Sequence, residues 1–166
     1  MGQPERAMPE QSLPTCEFYA DNLKVKMDMV FPAEVTRLSE VIDGFMKIVT
    51  AMKCACGHEQ DVELAMREAL TNAIIHGAAG DPARKVECCV ACDDVHGMLV
   101  VVRDPGQGFD PDSLPNPCVG ENVYSEHGRG VFLINQLMDH VEYKRGGTEI
   151  HMRKFPVPAT VKNCGQ

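Results

Sequence analysis

Apolar and polar positions follow each other along the chain in patterns that predict five strands and three helices. The segment LKVKMDMV, which starts at Leu23, alternates apolar with charged residues and predicts a half-buried strand that Phe31 and Pro32 end. A long helix is predicted after this proline, as far as about Met52, because proline suits the first turn of a helix. The apolar face of the strand comprises Leu23, Val25, Met27 and Met29, and that of the helix Val35, Leu38, Val41, Ile42, Phe45 and Ile48.

A second amphipathic helix is predicted to start after Gly57 and to continue to Ile75, with Gly77 and Gly80 at its exit. Two valine-rich strands follow at 86–92 and 98–103, joined by a hairpin turn over 93–97. The apolar stripe of this helix comprises Val62, Met66, Ala69, Leu70 and Ala73.

The stretch 104–130 is rich in glycine and proline and is too long for a simple connection, which predicts a lid or binding loop. A short helix at 131–138 and two closing strands at 141–143 and 148–152, around a turn over 145–147, complete the pattern. We therefore predict one domain over 23–155, preceded by a flexible arm over 1–22 and followed by a tail over 156–166.

Length and charge narrow the possible functions. The 166 residues suffice for one hydrophobic core, and the net charge of −8 argues against binding to a nucleic-acid backbone, which requires clustered Lys and Arg. No run approaches the roughly 18 apolar residues of a membrane span, and the first residues lack an export signal. We expect a cytoplasmic protein without a membrane segment.

Eight cysteines, at 16, 54, 56, 88, 89, 92, 118 and 164, raise the question of disulfides or zinc. Disulfide frameworks are typical of small secreted chains with poor cores, so free thiols are expected, some of them pointing inward from the strand 86–92. Neither Cys54-x-Cys56-x-His58 nor the cysteines at 88, 89 and 92 has the paired spacing of a zinc site. A thiol or zinc redox sensor would require these cysteines to converge.

The predicted second helix carries Asp61, Glu68, Asn72 and His76 on one polar stripe, because residues four apart are neighbours on a helix surface. A solvated face of an amphipathic helix would have the same pattern. The spacing alone leaves both interpretations open.

Two glycine-containing segments add candidate ligand contacts. DPGQGF places the carboxylate of Asp104 at the end of a strand, before Gly106 and Gly108, where it could accept a hydrogen bond from an exocyclic amine. EHGRGV places Gly128 and Gly130 directly before the predicted helix 131–138, where backbone N–H groups can meet phosphate oxygens. A plain turn and an ordinary helix start are the alternatives.

Taken in order, EALTNAIIHG, DPGQGF, HGRGVFLI and GGTEI resemble the N box, the two glycine boxes and the threonine box of the GHKL (Bergerat) ATPase fold. The short interval between the glycine boxes, GRGVFLINQLMDHVEY and GGTEIHMRK are similar to bacterial anti-sigma-factor serine kinases over roughly 23–155. The resemblance implies an α/β fold, a two-layer sandwich whose mixed, mostly antiparallel sheet carries helices on one face, with the nucleotide held between helices and lid.

The resemblance also implies roles for single residues. Asn72 matches the magnesium ligand, and Glu68 matches the catalytic carboxylate that orients or deprotonates the attacking hydroxyl. Asp104 matches the residue that binds the adenine amine, and Thr148 the one that supports this contact. Arg37 resembles a partner-contacting arginine, and a plain surface arginine is its alternative.

Five further matches concern the lid and the phosphates. By the resemblance, Gly106 and Gly108 are hinges of the lid, whereas Gly128, Arg129 and Gly130 cradle phosphates and let the lid close.

The family implies ATP and Mg²⁺ as cofactors and a regulatory function. Its members sequester a sigma factor, phosphorylate a serine of an anti-anti-sigma STAS-domain partner and form homodimers. The alternatives are a nucleotide-binding partner-switching module without kinase activity, or a target that is not a sigma factor. Glu68 argues against the module without kinase activity, because mere binding needs no carboxylate one turn from the magnesium ligand.

Overall fold

Within residues 23–113 and 126–157, which the computed structural model describes, five strands form an antiparallel sheet and three α-helices pack against it. The strands are β1 Leu23–Pro32, β2 Lys85–Asp93, β3 Gly97–Arg103, β4 His140–Lys144 and β5 Glu149–Lys154. The helices are α1 Leu38–Ala51, α2 Glu59–Asn72 and α3 Glu126–Leu137.

The strand order is β1-β2-β3-β5-β4, and each described pair of neighbours is antiparallel. One row of paired residues crosses the whole sheet and faces the helices, because side chains alternate between the two faces of a strand. This row comprises Met27, Val90, Val100, Met152 and Val141.

The core lies between this face of the sheet and the three helices. Ile42 and Phe45 of α1, Met66 and Leu70 of α2 and Ile134 of α3 are fully buried in it. Burial of each such side chain contributes about 1.5–3 kcal/mol. The opposite face holds a separate small cluster of Cys89, Ala91, Leu99 and Val101. Helices on one face of a two-layer fold were predicted, and the structure confirms this architecture.

Two helices differ from their predictions. Val35 and Ile48 were predicted to lie in the apolar stripe of α1, but they are 53% and 38% exposed. Val35 belongs to a short 3-10 helix, Val35–Arg37, whose different period moves it away from the core, while Val49 is buried beside Phe45 instead. Helix α3 begins at Glu126 rather than at 131, so Gly128 and Gly130 lie inside it rather than before it.

The predicted second helix ends differently as well. After Asn72 the chain forms a π-helical turn, Ala73–Gly77, so the predicted helix end at Ile75 lies in this turn. The predicted final strand is shorter at its start, since β5 begins at Glu149 and leaves Thr148 in the preceding turn.

The prediction of free thiols is wrong for Cys54 and Cys92, which form a disulfide with a Cα–Cα distance of 5.9 Å. Cys54 follows α1 and contacts the helix-facing side of β2. The two cysteines are 38 positions apart in the sequence, so no local pattern predicts this contact. Cys56 and Cys89 also belong to disulfides, whereas Cys88 is a free, buried thiol, as the inward orientation of some thiols predicted. No group of His, Cys, Asp or Glu in the described ranges could hold a metal ion.

Several predictions lie outside the described residues: the arm over 1–22, most of the tail over 156–166, and the part of the lid over 114–125, with its cysteine at 118. None of the helices within 23–113 and 126–157 is long and apolar enough to cross a membrane.

Candidate functional site

A cavity of about 440 Å³ lies between α2, α3, the ends of β3 and β5, and the segment that follows β3. Its volume is in the range of small-molecule sites, and its walls are largely apolar. The apolar lining includes Ala69, Ala73, Val102, Val131, Ile134 and Ile150. Five residues predicted from the sequence line the same cavity: Asn72, Asp104, Gly106, Gly108 and Thr148.

Helix α2 presents Glu68 and Asn72, one turn apart, toward α3. A Cβ atom at Gly130 of α3 would lie 3.0 Å from Oε2 of Glu68 and 3.2 Å from Nδ2 of Asn72. Such distances are tighter than ordinary side-chain packing allows, so glycine at this position lets α3 approach α2 without displacing the carboxylate or the carboxamide. The structure therefore brings Glu68, Asn72 and Gly130 together, at the position that the polar stripe predicted.

The π-helical turn after Asn72 ends at Gly77, which lies directly beside Asp104 in the folded chain. A Cβ atom at Gly77 would overlap the carboxyl group of Asp104, and one at Gly106 would lie 2.6 Å from the carbonyl oxygen of Gly77. π-helical turns inside helices often mark functional sites. The wide turn and the two glycines together hold the carboxylate of Asp104 at the wall of the cavity.

The backbone and one carboxylate oxygen of Asp104 are fixed by hydrogen bonds. Its N–H donates to the carbonyl oxygen of Thr148 at 2.9 Å, and its Oδ1 accepts the N–H of Gly106 at 2.7 Å. Burial raises the pKa of Asp104, and the Gly106 N–H partly offsets this shift. One carboxylate oxygen is thereby committed to the protein.

The strand β3 that delivers Asp104 is anchored on the opposite face of the sheet. Its last residue, Arg103, donates to Glu149 at 2.6 Å and to Glu87 at 3.1 Å. Hydrogen bonds of this kind between charged groups are stronger than neutral ones, and they fix the strand ends on both sides of Asp104.

The segment after Asp104 crosses the turn before β5 at close range. Gly108, with φ +76°, would overlap the carbonyl group of Gly146 if it carried a Cβ atom, and the N–H of Phe109 donates to the same carbonyl oxygen at 3.0 Å. A Cβ atom at Gly147 would in turn overlap the backbone of Phe109. These contacts account for glycine at 108 and 147, and hinge motion at Gly106 and Gly108 stays a prediction.

Glu68, all three predicted phosphate contacts (Gly128, Arg129 and Gly130) and the predicted partner contact Arg37 are not among the described residues that line the cavity. Gly128 is buried within α3, and Arg129 is exposed on it. Arg37 lies just before α1 with an exposed side chain, 3.7 Å from Glu40. The roles of these five residues stay predictions.

The structure adds cavity residues that the sequence interpretation missed. Arg84 donates to the carbonyl oxygen of Gly77 at 3.4 Å, at the end of the cavity near Asp104, and no sequence pattern had indicated it. His76 was placed on the polar stripe without a role, and it lines the cavity as well.

Tyr143 also lines the cavity and was predicted only as a strand residue. Its ring packs edge-to-face on Phe109, with ring centroids 5.2 Å apart and an interplanar angle of 72°. Its hydroxyl is buried without a hydrogen-bond partner, and burial raises the pKa of Tyr143 to about 12. The alternation along 141–143 could have placed it on the helix-facing side, but not at a ligand.

Comparisons with known proteins agree with this arrangement. A family model described as a histidine kinase-like ATPase domain matches residues 31–154, a range that contains every predicted site residue from Arg37 to Thr148. The serine-protein kinase RsbW of Staphylococcus epidermidis is 31% identical over 115 residues, which cover 64% of this chain and 72% of that protein. The RsbW protein of Staphylococcus aureus is 31% identical over 120 residues, with the same coverage. An anti-sigma F factor of Oceanobacillus iheyensis is 33% identical over 101 residues, covering 57% of this chain and 67% of that protein.

Proposed function

Because this chain belongs to the family of histidine kinase-like ATPase domains, we propose that it is an ATP- and Mg²⁺-dependent serine/threonine protein kinase and anti-sigma factor. Its substrate is a serine of an anti-anti-sigma STAS-domain protein, and its other partner is a sigma factor. The names of the similar proteins, a serine-protein kinase and an anti-sigma F factor, support this function. The observation that carries it is the placement of Glu68 and Asn72 at Gly130, beside a cavity that also presents Asp104.

The end of the cavity at Asp104 fits an adenine base. The carboxylate oxygen that is not bonded to Gly106 can accept a hydrogen bond from the exocyclic amine of adenine. Val102 and Ile150 supply apolar surface against which a flat ring can pack. The partnerless hydroxyl of Tyr143 supports a polar ligand in the same cavity, because a buried hydroxyl without a partner is unfavourable.

The end at Asn72 fits a magnesium-bound triphosphate. The carboxamide oxygen of Asn72 is a neutral oxygen ligand of the kind that Mg²⁺ accepts when phosphates supply the charge. Gly128 lies in the first turn of α3, where backbone N–H groups without an intrahelical partner favour phosphate oxygens, and the guanidinium of Arg129 next to it adds positive charge. Gly130 follows in the second turn. Bound ATP would supply the phosphoryl group, and Mg²⁺ would neutralise part of the negative charge of its phosphates.

Glu68 acts on the protein substrate. Its carboxylate accepts a hydrogen bond from the serine hydroxyl and orients the oxygen toward the terminal phosphate. It takes up the proton as the serine oxygen bonds to the terminal phosphorus, while the bond from that phosphorus to the β-phosphate oxygen breaks and ADP leaves. Glu68 is half-buried one turn from Asn72 on the same face of α2. The group that binds the substrate hydroxyl and the proposed metal ligand are therefore close together. This arrangement favours phosphoryl transfer over mere nucleotide binding.

Partner exchange completes the proposed function. Arg37, exposed just before α1, contacts the partner protein, and the active form is a homodimer that works in the cytoplasm, where sigma factors are found.

The experiment that tests this function is phosphate transfer from labelled ATP and Mg²⁺ to purified STAS-domain proteins of the same genome, with the labelled residue identified by mass spectrometry. We expect label on one serine of one such protein. ATP binding without transfer to any of them would contradict the kinase activity, and absence of ATP binding would contradict the assignment of the cavity.

A further inference from the structure

The hydroxyl of Tyr143 is the one buried side-chain polar atom of the described residues that has no hydrogen-bond partner. Such a group costs free energy in the folded state, since water bonded to it in the unfolded chain is lost without replacement. Buried polar groups are almost always paired, so an exception calls for a physical reason. A ligand that pairs with the hydroxyl in the loaded protein is such a reason.

Tyr143 lies at the base end of the cavity. Tyr143 pairs in register with Ile150, which also lines the cavity. Ile150 lies two positions after Thr148, and the carbonyl oxygen of Thr148 accepts the N–H of Asp104. Its ring packs against Phe109, which is itself hydrogen-bonded to the turn before β5. Glu68, Asn72 and Gly130, which form the phosphate end, belong to α2 and α3 rather than to this wall of the cavity.

We propose that the Tyr143 hydroxyl is a nucleoside-binding group that donates a hydrogen bond to an acceptor atom of the purine or its ribose. This inference rests on the proposed nucleotide-binding function of the cavity. The phenol is protonated at neutral pH, as an ordinary tyrosine is, so the hydroxyl can donate a hydrogen bond to the ligand. An adenine ring and a ribose both offer acceptors, whereas the exocyclic amine already has Asp104 as its partner.

The position of the hydroxyl has two consequences of opposite sign. In the nucleotide-free protein the hydroxyl destabilises the fold, because it is buried without a partner. In the nucleotide-bound protein the same group strengthens binding. A tyrosine that merely fills space beside Phe109 would produce neither effect through its hydroxyl.

The variant Tyr143→Phe separates these possibilities, since it removes the hydroxyl and keeps the ring that packs on Phe109. We expect about tenfold weaker binding of ATP, ADP and AMP alike, measured by calorimetry, because one hydrogen bond contributes about that factor. We also expect the nucleotide-free variant to unfold at a higher urea concentration than the wild type. The equal loss for the three nucleotides reports a contact to the nucleoside, which all three share.

Three results would overturn the inference. Unchanged affinity would show that the hydroxyl does not contact the nucleotide, and a loss for ATP without a loss for AMP would place the contact on the phosphates. A lower urea midpoint of the nucleotide-free variant would show that the hydroxyl has a partner within the protein. If the wild type binds no nucleotide at all, the proposed function fails, and this inference fails with it; binding by the wild type with unchanged binding by Tyr143→Phe contradicts this inference alone.

Discussion

Gly77 lies so close to Asp104 that a Cβ atom on the glycine would overlap the carboxyl group of the aspartate. The contact joins the π-helical turn after α2 to the end of β3, two elements that carry opposite ends of the proposed nucleotide site. The position of the proposed base-binding carboxylate relative to the proposed metal-binding helix is therefore set by a glycine that contributes no functional group.

Substitution of Gly77 by a larger residue should displace Asp104. We expect Gly77→Ala to weaken ATP binding at least about tenfold and to lower the free energy of unfolding by about 1–3 kcal/mol, because Asp104 must move to admit the methyl group. Calorimetry with ATP and urea unfolding measure the two effects. ATP binding at wild-type affinity would show that the contact does not position the carboxylate.

A second glycine offers a test with a matched control. Gly130→Ala should improve the helical propensity of α3 by up to about 1 kcal/mol, yet it should impair phosphoryl transfer, because its methyl group lies against Glu68 and Asn72. Gly44→Ala in α1 meets nothing within 4 Å and should leave transfer unchanged. Equal transfer rates of the two variants would contradict the proposed role of the contact between α2 and α3.

The raised pKa of Asp104 makes a prediction about pH. The ionised carboxylate destabilises the nucleotide-free fold, and this effect is present above the raised pKa and disappears as the pH falls below the ordinary value of 3.8. Asp104→Asn keeps an oxygen that can accept the Gly106 N–H, so we expect it to be more stable than the wild type at pH 7, by a margin that shrinks toward pH 3.8.

The same variant should lose ATP binding, because the amide nitrogen of asparagine would face the adenine amine with a donor instead of an acceptor. Urea unfolding of both proteins between pH 7 and pH 3.5, about the ordinary pKa of an aspartate, checks the stability margin. A margin that does not change with pH would mean that the carboxylate is not destabilised by burial.

The Cys54–Cys92 disulfide should stabilise the protein by restricting the unfolded chain, an effect that grows slowly with the length of the loop that it closes. The two cysteines have a sequence separation of 38, and loss of the disulfide is expected to lower the free energy of unfolding by about 2–4 kcal/mol. The double variant Cys54→Ser/Cys92→Ala, which leaves neither thiol unpaired, should show this difference from the wild type under oxidising conditions. Most of the difference should vanish in a reducing agent, and a difference of equal size in both conditions would indicate lost packing instead.

Much of the fold could be predicted because its signals are local. The hairpin over 93–97 joins two strands at the predicted places, and the stripe Val62, Met66 and Leu70 is buried as its spacing indicated. The resemblance to anti-sigma-factor serine kinases is likewise confirmed, by the family match and by similar proteins with those names.

The remaining features depend on contacts between distant parts of the chain. Gly128 and Gly130 were predicted to precede a helix, because glycine has a low helical propensity, but both lie inside α3. Gly130 packs against Glu68 and Asn72 there, so a tertiary contact outweighs the local propensity. Neither the Cys54–Cys92 disulfide nor the place of Tyr143 at the ligand cavity leaves a mark in nearby sequence. The close contact between Gly77 and Asp104 arises in the same way, from two segments that meet only in the folded chain.

The most direct test of the proposed kinase compares Glu68→Gln with Glu63→Gln, a control on the same helix whose carboxylate pairs with Arg67 at 3.2 Å. Both variants lose one negative charge of α2, and only Glu68 lies beside Asn72 and Gly130. Transfer of labelled phosphate from ATP to the STAS-domain substrate is measured together with ATP binding. We expect Glu68→Gln to bind ATP and to transfer at least about a hundredfold more slowly, as for loss of a general base, with Glu63→Gln at the wild-type rate. Transfer by Glu68→Gln at the wild-type rate would contradict the assignment of Glu68 as the catalytic residue.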